Sequence, residues 1–198
     1  MDQTSDKPHM VIATPLFPPD IAEPAPYVKE LLLRLADTYN VSALIYGELP
    51  ESVPGVSFIS ISKNRPLFSR LFSYTYALFR LSQSNSIIYA QNGASVELPA
   101  AIVSRLRNIP LIIRFADTAS IERAKQNHIF KWIETLVQKQ ARYVIAATGS
   151  NNTTRVPDPL PRPEILPFRE TDQAEVEAFE SSWQEHLTQL KKLFASCR

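Results

Sequence analysis

Two rhythms of apolar residues alternate along the chain. Short apolar runs, the length of buried strands, give way to longer stretches in which apolar residues return every three or four positions, as on a helix face. The first pair sets the pattern. Residues 10–13 (Met-Val-Ile-Ala) are a strand-length run, 14–26 a proline-rich loop, and Val28, Leu31, Leu32 and Leu35 mark one face of a helix. Pro26 suits the first turn of that helix, where a missing N–H leaves nothing unpaired. Further strands are predicted at 41–46, 56–61, 86–90, 110–115 and 142–147, and helices at 63–83, 95–107 and 121–140. Continuous apolar runs separated by helices imply a parallel sheet covered on both faces and joined by right-handed crossovers. The fold class is α/β, a single doubly wound parallel sheet. In such sheets ligands sit outside the carboxyl ends of the strands, so loop 15–26 is the first place to seek function.

Past residue 155 the rhythm changes. Pro157, Pro159, Pro161, Pro163 and Pro167 make 156–168 a stiff extended connector, in which 164–167 can add a short terminal strand. Asp172 and Glu175 are spaced like a capping box. Behind them Val176, Phe179, Trp183, Leu187, Leu190 and Phe194 form one helical stripe. Acids crowd the start of this helix and Lys191, Lys192 and Arg198 its end, as the helix dipole favours. The expected organisation is a Rossmann-like domain over 1–155, a connector over 156–170, and a helix over 171–198 packed back on the domain.

Composition narrows the function classes. A net charge of +1 argues against a dedicated nucleic-acid binder. One cysteine, Cys197, excludes an internal disulfide framework and fits a reducing compartment. No run approaches the roughly 20 apolar residues of a spanning helix, and 1–7 is polar, so a cytoplasmic location is expected. Four glycines against sixteen prolines leave no glycine-rich phosphate loop. His9, His128 and His186 are scattered, and with one cysteine they make no metal site. Neither metal nor cofactor is expected. His9 reads as structural and His128 as solvated or at the core edge. The 63–80 stretch carries Lys63, Arg65, Arg70 and Arg80 among Leu67, Phe68, Leu71 and Phe72, with no acid between Glu51 and Glu97. It fits a core helix with a basic edge or peripheral contact with an anionic membrane surface.

The run from Ile12 to Leu35, IATPLFPPDIAEPAPYVKELLLRL, resembles the opening of family-4 glycosyltransferases of the GT-B fold. Pro18, Pro19, Asp20, Pro24, Ala25, Tyr27 and Val28 match that opening, whereas Ala22 and Glu23 replace its glycine pair. In the family those glycines let backbone approach the donor's phosphates; here a side chain and a negative charge stand in their place. Ala116-Asp117 followed by Ile121-Glu122-Arg123-Ala124, and the ARYVIAATGS segment, are similar to later family stretches. The likeness runs from about residue 10 to 150. It implies the acceptor-side N-terminal domain of such an enzyme. It further implies that the donor-binding domain is absent and that the last helix is the one that in the family returns from it.

Polar residues at predicted strand ends supply the site candidates. Asp117 is the catalytic candidate, to orient an acceptor hydroxyl or act as a base, against a plain N-cap or turn role. Candidate substrate-binding residues are Asp20, Glu23, Asn92, Arg114, Glu122, Ser150 and Asn151, with Arg114 expected to pair with Asp117 or Glu122. Two readings stay open. One is an acceptor-binding half that transfers a hexose only with a separate donor-binding glycosyltransferase subunit and is inactive alone. The other is a non-catalytic remnant serving as a binding or scaffold module.

Overall fold

Residue 9 opens the first strand, β1 (His9–Thr14), and every one of its six residues is buried. The computed structural model describes residues 7–21, 24–47, 50–91, 93–115, 128–146, 153–163 and 173–197. After β1 come α1 (Ala25–Leu35), β2 (Asn40–Tyr46), β3 (Val56–Ile61), α2 (Leu67–Leu81), β4 (Ile87–Gln91), α3 (Ala94–Arg107) and β5 (Leu111–Phe115). Then follow α4 (His128–Gln140), β6 (Tyr143–Ala146), β7 (Thr154–Arg155) and α5 (Gln173–Ala195). The strands form one seven-stranded sheet in the order β3-β2-β1-β4-β5-β6-β7, and every pairing is parallel. This is the doubly wound α/β arrangement expected from the apolar runs. Its order reverses between β1 and β4, so a crevice opens outside their carboxyl ends.

The two faces of the sheet carry separate cores, because side chains alternate across each strand. Met10 and Ile12 join Leu31 and Leu32 of α1 and Phe179, Trp183, Leu190 and Phe194 of α5. Val11 and Ala13 face the other way, onto Tyr74 and Leu78 of α2, Val96 and Val103 of α3, and Val137 of α4. The last helix thus packs back on the sheet beside α1. Its stripe starts later than the spacing suggests: Val176 is exposed.

Three stretches qualify the sequence pattern or run past the described residues. Among the described residues the sheet ends past β6 at β7, paired with it at Ile145↔Thr154 and Ala146↔Arg155; the terminal strand expected at 164–167 lies outside the described residues. The helix expected over 121–140 is present from His128 to Gln140; its expected start, 121–127, lies outside the described residues. Within α2 only Tyr74 and Leu78 are fully buried. Leu67, Phe68, Phe72 and Tyr76 stand exposed, so the wide apolar face splits into a narrow core seam and an aromatic solvent face. Among the described residues, no helix is long and apolar enough to cross a membrane.

Candidate functional site

The crevice is shaped first by residues 15–21, which follow β1. Thr14 ends β1 fully buried; its hydroxyl donates to the Leu16 carbonyl at 3.1 Å and lies 3.4 Å from the Gln91 amide nitrogen at the end of β4. Phe17 is buried against Phe58, with ring centroids 5.0 Å apart, and the Asp20 N–H returns to the Phe17 carbonyl at 3.1 Å. The chain therefore turns tightly over the sheet's carboxyl edge and presents Asp20 outward. Asp20 accepts from Lys63 Nζ at 3.0 Å, with both side chains more than 40% exposed, and a pair so exposed contributes little to stability. At β4 the chain enters α3 through Gly93 at φ 117, a backbone conformation that a β-carbon disfavours.

Two cavities meet at Pro18, Pro19 and Asp20. The smaller, about 240 Å³, reaches the end of β2 at Tyr46 and ends at Lys63 and Asn64. The larger, about 740 Å³, runs between α1, the connector and α5, with Tyr27, Arg114, Asp158, Leu160 and Trp183 among its walls.

Arg114 is the charged centre of the larger cavity. It lies on β5, 5% exposed, with its guanidinium carbon 3.8 Å from the centroid of the Tyr27 ring. Nη2 donates to Asp158 Oδ1 at 2.6 Å, and Nη1 approaches Gln91 Oε1 at 3.4 Å. Burial alone favours the neutral guanidine. The oxygens of Tyr27 and Tyr89 and the Asp158 carboxylate outweigh it, so the pKa lies above its ordinary value. The other charges along the wall are also matched. Glu30 accepts from Arg162 at 2.7 Å and from Arg34 at 2.9 Å, Arg34 also reaches Glu180 at 2.8 Å, and Lys29 pairs with Glu51.

Behind Arg114 a buried polar chain ties α1 and β4 to α5. His186 Nδ1 is 2.7 Å from the Pro157 carbonyl. Burial lowers the His186 pKa to about 4, against a smaller opposite push from that carbonyl, so the ring is neutral near pH 7. A carbonyl only accepts, which puts the single ring hydrogen on Nδ1 and leaves Nε2 as an acceptor. The Tyr27 hydroxyl, 2.8 Å away, therefore donates to Nε2. With that hydrogen committed, the Tyr89 hydroxyl at 3.0 Å donates to Tyr27. Donation thus runs from Tyr89 to Tyr27 to His186 and ends on the connector's Pro157 carbonyl, which accepts. Trp183 stacks on Tyr27 at 5.4 Å, yet its Nε1–H is buried and finds no acceptor among the described residues.

Of the sequence-derived site residues, Asp20 and Arg114 border the larger cavity. Asp117, Glu23, Asn92, Glu122, Ser150 and Asn151 lie outside the described residues. Arg114 takes Asp158, which the sequence reading does not single out, as its countercharge; the two partners expected for it, Asp117 and Glu122, are among those not described. His9 is buried between Ser86 Oγ at 2.7 Å and Ser42 Oγ at 3.1 Å, which makes it a structural link at the amino end of the sheet, away from the crevice. His128 is exposed. Tyr27 and Trp183 stand out in the sequence only as part of the family-like opening and of the last helix's apolar stripe, and Tyr89, Asp158 and His186 carry no local motif that marks them. The one available signal is Arg114 itself: a lone cation in an apolar strand demands a buried partner, and Asp158 is the only acid in 153–163.

No protein-family model matches this chain, and no curated protein does.

Proposed function

We propose that this chain is an acceptor-side domain of a family-4-like sugar transferase. It holds an acceptor at the carboxyl edge of its sheet and leaves the nucleotide-sugar to a donor-binding partner. One observation carries the reading. The larger cavity lies between the loop that bears the family-like residues, Pro18 to Tyr27, and a final helix returned onto the same face. The replacement of the loop's glycine pair by Ala22 and Glu23 supports a division of labour, since a carboxylate is a poor neighbour for a diphosphate. The chain alone then binds no nucleotide-sugar and transfers no hexose. The test is to recover the tagged chain with its bound partners from the cells that make it and to measure radiolabelled hexose transfer from UDP-glucose and GDP-mannose to a membrane-lipid extract. Transfer by the complex but not by the chain alone is expected. A complex without transfer overturns the transferase reading and leaves the binding or scaffold module.

A specific observation favours working at a membrane surface. Phe68 and Phe72, four residues apart on α2, are 85% and 74% exposed, and Arg65 and Arg80 are exposed in the same stretch of chain, before and after them. Aromatic anchors flanked by cations suit the interface of an anionic bilayer.

A further inference from the structure

The larger cavity holds its own countercharge in an unusual way. Arg114 sits on a central strand with its side chain 6% exposed, while the Asp158 side chain that neutralises it is 37% exposed and belongs to a segment without helix or strand. The backbone on either side of Asp158 is tied to α5: the Pro157 carbonyl accepts from His186 at 2.7 Å and the Leu160 N–H donates to Ser182 Oγ at 2.9 Å. The carboxylate can nevertheless turn into water by a change of rotamer. Arg114 has no such exit. Whatever occupies the cavity must therefore leave Asp158 in place or supply an acid of its own.

Two further features indicate what fits. Pro18, Pro19, Pro26, Leu33 and Leu160 give the cavity rigid apolar walls, and its about 740 Å³ falls in the range of roughly 300–1,000 Å³ usual for small-ligand sites. Trp183, stacked on Tyr27 at 5.4 Å, adds an aromatic surface to those walls. The remaining wall cations, Lys29 and Arg162, have side chains 40% and 64% exposed, so water can solvate their charge and only Arg114 needs a countercharge inside the cavity. A ligand therefore gains from a single acid head and not from several.

We propose that this cavity binds a small amphipathic acid, with its apolar body between the proline walls and Trp183 and its carboxylate or phosphate replacing Asp158 on Arg114. The exchange keeps the buried pair neutral, as burial of a guanidinium requires, and gives the head group a charge-assisted contact. The inference stands on the cavity alone and does not depend on sugar transfer.

Calorimetry on the full chain tests it with three probes that share one apolar body: 1-naphthoate, 1-naphthyl phosphate and the uncharged 1-naphthalenemethanol. At least one acid should bind at a single site about tenfold or more tighter than the alcohol, and the tighter acid identifies the head group. Asp158→Ala removes the internal competitor and should strengthen acid binding by a further factor of about ten, while saturating acid restores melting temperature lost in that variant. Arg114→Gln should abolish the preference for acids; should it fail to fold, the Asp158→Ala comparison decides alone. Equal affinity for acid and alcohol, no binding of any probe, or unchanged or weaker acid binding by Asp158→Ala would each overturn the proposal.

Discussion

Tyr27 is the residue on which the polar chain turns, because its hydroxyl both accepts from Tyr89 and donates to His186. Tyr27→Phe strands two buried groups, whereas Tyr89→Phe removes a donor and leaves Tyr27 still bonded to His186. With about 1–3 kcal/mol for each buried group left unpaired, urea unfolding should show Tyr27→Phe clearly more destabilising than Tyr89→Phe. Equal losses would contradict the assigned hydrogen positions. Two other residues set opposing pH dependences. His186 is lowered from 6.5 to about 4 by burial, so the unfolded chain binds the proton first. Its contribution is present above about pH 6.5 and is lost as pH falls toward 4. Glu97 is raised from 4.5 to about 7, chiefly by burial and against the Gly93 N–H it accepts at 2.8 Å. Its contribution is present below about pH 4.5 and is lost as pH rises through 7. Glu97→Gln should therefore leave a stability that climbs more steeply with pH between about 4.5 and 6.5 than in the parent. An unchanged slope in urea titrations would show that Glu97 does not bind its proton in the folded chain.

At the scale of elements, α5 and α2 make opposite predictions for large apolar residues. Trp183 is 2% exposed, stacked on Tyr27 and edge-on to Phe179 at 6.4 Å. Trp183→Ala should cost about 3–5 kcal/mol, read from the urea midpoint, while Val176→Ser in the exposed first turn should stay within about 0.5 kcal/mol. On α2 the exposed aromatics add little to folding. Phe68→Ser with Phe72→Ser should keep the melting temperature yet abolish sedimentation with phosphatidylglycerol vesicles, under the proposed membrane contact. Retained vesicle binding would remove α2 from that role. These two helices also show what the sequence reveals of elements. The stripe Phe179, Trp183, Leu190, Phe194 is legible because one core covers it. The α2 pattern is equally apolar, but only Tyr74 and Leu78 are fully buried, with Ala77, Phe79 and Leu81 partly covered, and periodicity cannot state how much of a face is covered.

For the whole molecule, the sheet was readable in advance because strands buried on both faces leave uninterrupted apolar runs such as 110–113, and their alternation with helices admits few topologies. The site was not. Arg114 meets a carboxylate 44 positions away, and Tyr27 meets His186 across 159. Those pairings come from where the connector and last helix land on the sheet, which no local spacing records. The two-residue β7 escaped for a related reason: Thr154 and Arg155 carry no apolar signature and are strands only through β6. The proposal that joins these parts is a domain that presents an acceptor while another protein brings the activated sugar. Its most direct test is hexose transfer from a radiolabelled nucleotide-sugar, measured for the chain alone and for the complex it forms in its own cells. The account predicts product only from the complex; product from the chain by itself would contradict it.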